Sequence, residues 1–306
     1  MRIMASGLQF PEGPVAMPDG SVLLVEIARE TLSRVLPDGR VEVVAQVPGG
    51  PNGAAVGPNG LIYICNNGGT AWVRVGGCLR PSVQSANYTG GSIEVVTLAT
   101  GHVDRLFDHC DGVPLNDPND LVFDGSGGFW FTDMGKRRAR SADRGVVYWA
   151  RADGSEIVEA VAGMVTPNGI GLSPDGRTLY VAETDTGRLW SWPVTGPGTL
   201  DKQPWPSPCG GRLVAGLPGY RRFDGLAVAA GGNVCVAALE SRAIAEITDD
   251  GHLVRDHPAP DLAVTNLCFG GAGMRTAFVT LSHAGQLGMA EWHEPGLALA
   301  YQDCEP

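Results

Sequence analysis

Apolar and polar positions recur along this chain in one repeating unit. Six segments superimpose: EGPVAMPDGSVLLVE from Glu12, NGAAVGPNGLIYICN from Asn52, NDLVFDGSGGFWFTD from Asn119, NGIGLSPDGRTLYVAE from Asn168, DGLAVAAGGNVCVAAL from Asp224 and NLCFGGAGMRTAFVTL from Asn266. Each reads as a short apolar strand, a glycine-containing turn and a second strand rich in Val, Ile, Leu, Tyr, Phe or Trp, which is the pattern of a β-hairpin. After most of them a further pair of strand-like runs follows, such as TLSRVLPDGRVEVVAQV and GVVYWARADGSEIVEAV. The anchors stand 40 to 67 residues apart. Four-stranded units at that period are propeller blades, and six of them fill residues 12 to 293. The expectation is an all-β, six-bladed β-propeller, one domain over residues 1–306, with residues 1 to 8 supplying the strand that closes the ring. An open β-sandwich accommodates six similar hairpins poorly, and no long amphipathic helical pattern competes.

The residues that open the hairpins are Glu12, Asn52, Asn119, Asn168, Asp224 and Asn266. In equivalent blades they share one end of the innermost strands, so their side chains converge on the channel. Asn and Asp before Gly are also ordinary turn residues. Glu12 has no such preference, which favours convergence. Two carboxylates facing each other in a narrow channel repel, and one protonates unless a cation lies between them. Carboxylate and amide oxygens without Cys or His form a hard-ligand set that suits Ca²⁺ first, then Mg²⁺ or Mn²⁺, and zinc less well.

The ends of the second strands lie at the same mouth, so Glu26, Asn66, Asp133, Glu183, Glu240 and His283 are expected as a second ring. With Trp130, Asn52 and Asn266, Asp133 and His283 are candidates to line a substrate pocket. The stretch from Gly68 to Gly91, with Trp72, Arg74, Arg80 and Tyr88, is long enough to be a lid. Lys136, Arg137, Arg138, Arg140 and Arg144 form a basic loop at the same mouth, which reads either as a solvated charged loop or as a guide for an anionic substrate.

Composition narrows the partners. The 306 residues include 44 Gly and 22 Pro, which fits many tight turns. A net charge of −11 argues against nucleic acid or an anionic membrane surface. No apolar run reaches the ~18 residues of a membrane span, and the opening MRIMASGLQF lacks the pattern of a signal peptide, so a cytoplasmic protein is expected. Seven cysteines without metal spacing fit reduced thiols, with Cys65, Cys235 and Cys268 in strand-like runs. A monomer or small homo-oligomer is expected.

The contexts FPEGPVAMPDG, PNDLVFDGSGGFWFTD, TPNGIGLSPDGRTLYVAET and FDGLAVAAGGNVCVAAL resemble the family of senescence marker protein 30 (SMP-30), gluconolactonases and luciferin-regenerating-enzyme-like proteins. The resemblance covers nearly the whole chain. It implies a metal on the propeller axis held by Glu12, Asn168 and Asp224, with Asn119 contacting metal or substrate. The chain departs from the family at Cys65-Asn66-Asn67, where its lactonases often carry a CEH-like sequence.

That resemblance implies metal-dependent opening of a small lactone or ester. The metal would polarise the carbonyl, Asn119 would orient the substrate, and Asp224 would activate water or attack directly. No GxSxG elbow and no HExxH motif offers another hydrolytic centre. Phosphotriester or fluorophosphate hydrolysis at the same site, and a non-catalytic calcium- or ligand-binding propeller, are the competing readings. Strictosidine-synthase-like chemistry shares the architecture but leaves Glu12 facing Asp224 unexplained.

Overall fold

The computed structural model describes residues 1–304. Six antiparallel sheets stand around one axis as a six-bladed β-propeller, with strands here lettered A to D from the axis outward. The A strands are Pro11–Ala16, Pro51–Val56, Pro118–Phe123, Pro167–Leu172, Arg222–Val228 and Val264–Gly270, one for each successive blade. Each touches the A strand of the next blade, and Val264–Gly270 touches Pro11–Ala16, so the contacts form a closed ring. Arg2–Ser6 pairs antiparallel with Gln286–Glu291 and completes blade six, as the sequence implied.

Apolar faces of neighbouring blades supply the core. Between blades three and four, Val122, Trp130 and Trp149 pack against Ile170, Val181 and Trp190. Burying one such side chain is worth ~1.5–3 kcal/mol, so the interfaces between blades dominate the fold's stabilisation. Trp130 is fully buried there and belongs to this core, not to a pocket. All seven cysteines are free, and Cys65, Cys235 and Cys268 are buried.

Every A strand carries one extra residue where it passes the anchor. Its pairing with the B strand slips between Glu12 and Val15, Pro51 and Ala54, Pro118 and Leu121, Pro167 and Ile170, Phe223 and Leu226, and Val264 and Asn266. A bulge of this kind bends the strand and re-aims its side chains. Here it turns the anchor to one end of the channel and the next residue to the other. Glycine holds that next position at Gly13, Gly53, Gly169 and Gly225, because the neighbouring A strand presses against it. A Cβ on Gly169 would lie 2.5 Å from the Asp224 carbonyl oxygen, and one on Gly53 would lie 2.5 Å from that of Asn119.

Two features lay outside the repeat. The insert between the B and C strands of blade two folds as a hairpin, Thr70–Val75 paired with Cys78–Gln84, across the upper mouth. The segment after blade six crosses the lower face. Leu297 N–H donates to the Val228 carbonyl, Gln302 Nε2 donates to the Phe269 carbonyl at 2.9 Å, and Tyr301 meets the Phe123 ring edge-on with ring centres 5.4 Å apart. Leu297 and Leu299 thereby cover a small cavity at the lower end of the axis.

Candidate axial site

The bulges place Glu12, Asn52, Asn119, Asn168, Asp224 and Thr265 around one cavity of about 340 Å³ at the upper end of the axis. The sixth member is Thr265 and not Asn266. Val264 pairs with Leu281 as Pro11 pairs with Glu26, Pro51 with Asn66, Pro118 with Asp133 and Pro167 with Glu183. Counting from that pair puts Thr265 level with Glu12 and Asn266 level with Gly13. Asn266 accordingly lines the small lower cavity of about 70 Å³ together with Asp120.

Glu12 and Asp224 are both buried. Burial pushes the Glu12 carboxyl up to about 7, against a hydrogen bond from the Gly13 amide and others from Thr265 and Asn266. Burial, and then the charge of Glu12, hold Asp224 well above the usual carboxylate range, against the attraction of Arg222 and a hydrogen bond from Asn168. Beside the pair stand neutral amides and hydroxyls, the Arg222 guanidinium and a third buried carboxylate, Asp120, farther down the axis. The anchor side chains offer oxygens, without Cys or imidazole, and the Glu12 charge raises the proton affinity of Asp224. Both properties fit a hard dication.

The expected second ring is chiefly a set of braces. Glu26 accepts from the Gln9 amide at 2.7 Å, Asn66 from Gly50 at 2.9 Å, Asp133 from Asn116 at 2.7 Å, and Glu183 from Val165 at 2.7 Å. In each case the end of the B strand grips the backbone two or three residues before an anchor. Asp133, with further bonds from the Asp117 and Gly135 amides, therefore positions Asn119 from behind and does not face the cavity. Glu240 and His283 do line the cavity, because they lie two residues beyond the braced position, whose occupants in those blades are Ala238 and Leu281.

The hairpin roofs this cavity. Trp72 packs on Phe10 with ring centres 5.0 Å apart, and Arg80 Nε donates to His283 Nε2 at 2.7 Å. Burial, and then the Arg80 charge, lower the His283 pKa and favour the neutral imidazole that accepts this bond. The basic loop is largely neutralised. Lys136, 2% exposed, pairs with Asp117 at 3.3 Å and donates to the Gly69 carbonyl, so it pins the base of the hairpin. Arg137 pairs with Asp185, and Arg138 holds Asp143 through both guanidinium nitrogens.

Several cavity residues gave no sign in the sequence. Arg222 alternates with Asp224 on one strand and bridges Asp185 and Glu240 at the rim. Thr184 Oγ1 and Gln84 Oε1 are buried at the cavity without a hydrogen-bond partner among the described residues. Both are free to meet a polar ligand.

The profile of the SMP-30/gluconolactonase/LRE-like region matches residues 10–283. The chain belongs to this family. The gluconolactonase of Zymomonas mobilis is 27% identical over 316 aligned residues, which take in 92% of this chain and 79% of that protein. Lactonase drp35 of Staphylococcus saprophyticus is 30% identical over 192 residues, 62% of this chain and 52% of that one. Among solved structures, a calcium-binding regucalcin from Agrobacterium tumefaciens superposes with a TM-score of 0.75 at 20% identity, covering 97% of both chains. A gluconolactonase from Xanthomonas campestris superposes with a TM-score of 0.74 at 23% identity, covering 94% of this chain and 87% of that one. These structures share the propeller with this member of the family, and its named relatives in sequence are lactone hydrolases. No helix among the described residues is long and apolar enough to cross a membrane.

Proposed function

We propose that this protein is a one-domain propeller hydrolase that opens a small lactone at the upper end of its axis. The observation that carries the reading is the pair of buried carboxylates, Glu12 and Asp224, facing one cavity within a ring of amides and a hydroxyl. A cavity of about 340 Å³ is of the size that holds a small organic ligand.

Glu12, Asn168 and Asp224, with Asn119 beside them, would hold one dication, Ca²⁺ in preference to Mg²⁺, Mn²⁺ or Zn²⁺ for an all-oxygen donor set. When bound, the ion supplies Lewis-acid polarisation of the lactone carbonyl. Asn119 is well placed to orient the substrate, because its only side-chain hydrogen bond among the described residues is a long one from Nδ2 to the Met134 sulfur at 3.4 Å. Asp224 takes a proton from the attacking water. The water oxygen bonds to the carbonyl carbon, the ring C–O bond breaks, and the proton returns to the alkoxide to give the open hydroxy acid. Thr184 Oγ1 and Gln84 Oε1 recognise polar substituents on the ring, and the Trp72–Phe10 roof excludes bulk water.

The test is kcat/KM on a panel of five- and six-membered lactones and of phosphotriesters, for the parent protein, Glu12→Gln and Asp224→Asn. Lactone turnover lost in both variants is expected. Turnover of phosphotriesters alone would overturn the reading.

A further inference from the structure

Outside the axis, the described residues bring together three groups that the proposed reaction does not use. Glu246 lies in the C strand of blade five, Ala243–Ile247, and is fully buried. His257 lies in the neighbouring D strand, Leu253–Pro258, and His293 follows the last strand of blade six. One donor atom from each stands within 4.8 Å of the others. Both imidazoles aim Nε2 at the same carboxylate, His257 at 2.7 Å from Oε2 and His293 at 3.4 Å from Oε1. Glu294 adds a second carboxylate 3.8 Å from His293 Nε2.

Ligand atoms at ~2.0 Å around a tetrahedral zinc ion are separated by about 3.3 Å. The 3.4 Å and 3.8 Å spacings at His293 Nε2 are near that separation, and His257 Nε2 and Glu246 Oε2, hydrogen-bonded at 2.7 Å, need to part only slightly to admit an ion. Supports are in place as well. Asn233 Nδ2 donates to Glu246 Oε1 at 2.8 Å and to Glu294 Oε1 at 3.4 Å, which fixes both carboxylates. The Trp292 ring stacks on His257 at 3.9 Å and fixes that imidazole. Such partners orient ligands and raise metal affinity.

We propose that Glu246, His257 and His293, with Glu294, form a second metal site that takes a borderline dication of the zinc class. Two imidazoles and carboxylate oxygens suit Zn²⁺ or Co²⁺ and suit Ca²⁺ poorly, so this site and the axial one divide the metals by donor chemistry. Its place in the fold gives it a structural role. The ion fastens the start of the C-terminal segment to blade five, and that segment goes on to cover the lower end of the axis with Leu297 and Leu299.

The experiment titrates metal-stripped protein with Co²⁺, followed by its visible absorption, and with Zn²⁺, followed by calorimetry and thermal unfolding. Asp224→Asn is expected to keep one nitrogen-ligated equivalent and a Zn²⁺-dependent rise in Tm. His293→Ala, at a half-exposed position, is expected to lose both while retaining Ca²⁺ binding at the axis. His257→Gln, which keeps the bulk beside Trp292, is expected to behave like it. Absence of nitrogen-ligated metal in the parent protein, or its persistence in both histidine variants, would overturn the proposal.

Discussion

Asn266 Nδ2 meets Asp120 Oδ2 at 3.5 Å across the propeller axis, although the two residues come from opposite blades and lie 146 positions apart in the chain. They occupy the one position in each A strand where the other blades carry glycine. Backbones converge so closely there that no more than two opposed side chains fit below the anchors. The Asp120 carboxyl is pushed up to about 7, first by burial and then by the charge of Glu12 above it. The lower channel thus extends the electrostatic field of the axial pair.

The glycine contacts make a direct prediction. Gly169→Ala sets a methyl 2.5 Å from the Asp224 carbonyl oxygen and against the Gly225 and Leu226 backbone, with no side chain there able to yield. Destabilisation of about 2–4 kcal/mol in urea is expected, together with loss of activity through displacement of Asp224. Gly196→Ala, where a methyl meets nothing within 4 Å, is the control and is expected to stay within ~0.5 kcal/mol of the parent.

Metal-free protein should lose stability as pH rises. Glu12 and Asp120 have folded pKa values near 7, above their unfolded values, so their protonated forms favour the fold. Their contribution is complete below the unfolded carboxylate range and is lost as pH rises through about 7. With each pKa unit equal to ~1.4 kcal/mol, Tm of stripped protein should fall by several degrees between about pH 5 and pH 8. Saturating Ca²⁺ should flatten that slope, since a bound cation replaces the protons. An equally steep slope with Ca²⁺ would remove the cation from the axial pair.

The roof should govern access. Trp72→Ala removes the contact with Phe10, an aromatic pairing worth ~0.5–1.5 kcal/mol beyond its buried area. KM should rise about three- to tenfold with kcat changed little, because the ring of anchors is untouched. A fall in kcat at constant KM would place Trp72 in the chemistry instead.

Much of this was legible in the sequence, and the failures have physical causes. The hairpins announce themselves because strand period and turn glycines repeat, and five anchors follow from that register. Blade six breaks it. VTNLCFG carries Thr at the anchor and Asn in the position that follows it, so Asn266 aligns with the other amides, while the true equivalent is Thr265. Trp130 looked like a pocket aromatic, yet strand alternation turns it into the space between blades. Asp133 looked like a pocket carboxylate, yet its oxygens are spent on three backbone amides. The basic loop left two readings open in sequence, because the carboxylates that pair with Lys136, Arg137 and Arg138, namely Asp117, Asp185 and Asp143, carry no pattern that marks them as partners. The roof showed itself as an over-long insert at the mouth from Gly68 to Gly91, but its hairpin pairing, and the tail under the axis, have no period to reveal them.

The most direct test of the central claim is lactone hydrolysis by chelator-stripped protein before and after one equivalent of Ca²⁺, run beside Asp224→Asn. The account predicts negligible turnover in the stripped protein, recovery that follows Ca²⁺ occupancy, and a loss of roughly a hundredfold or more in Asp224→Asn. Lactone turnover that survives both chelation and the Asp224→Asn substitution would contradict it.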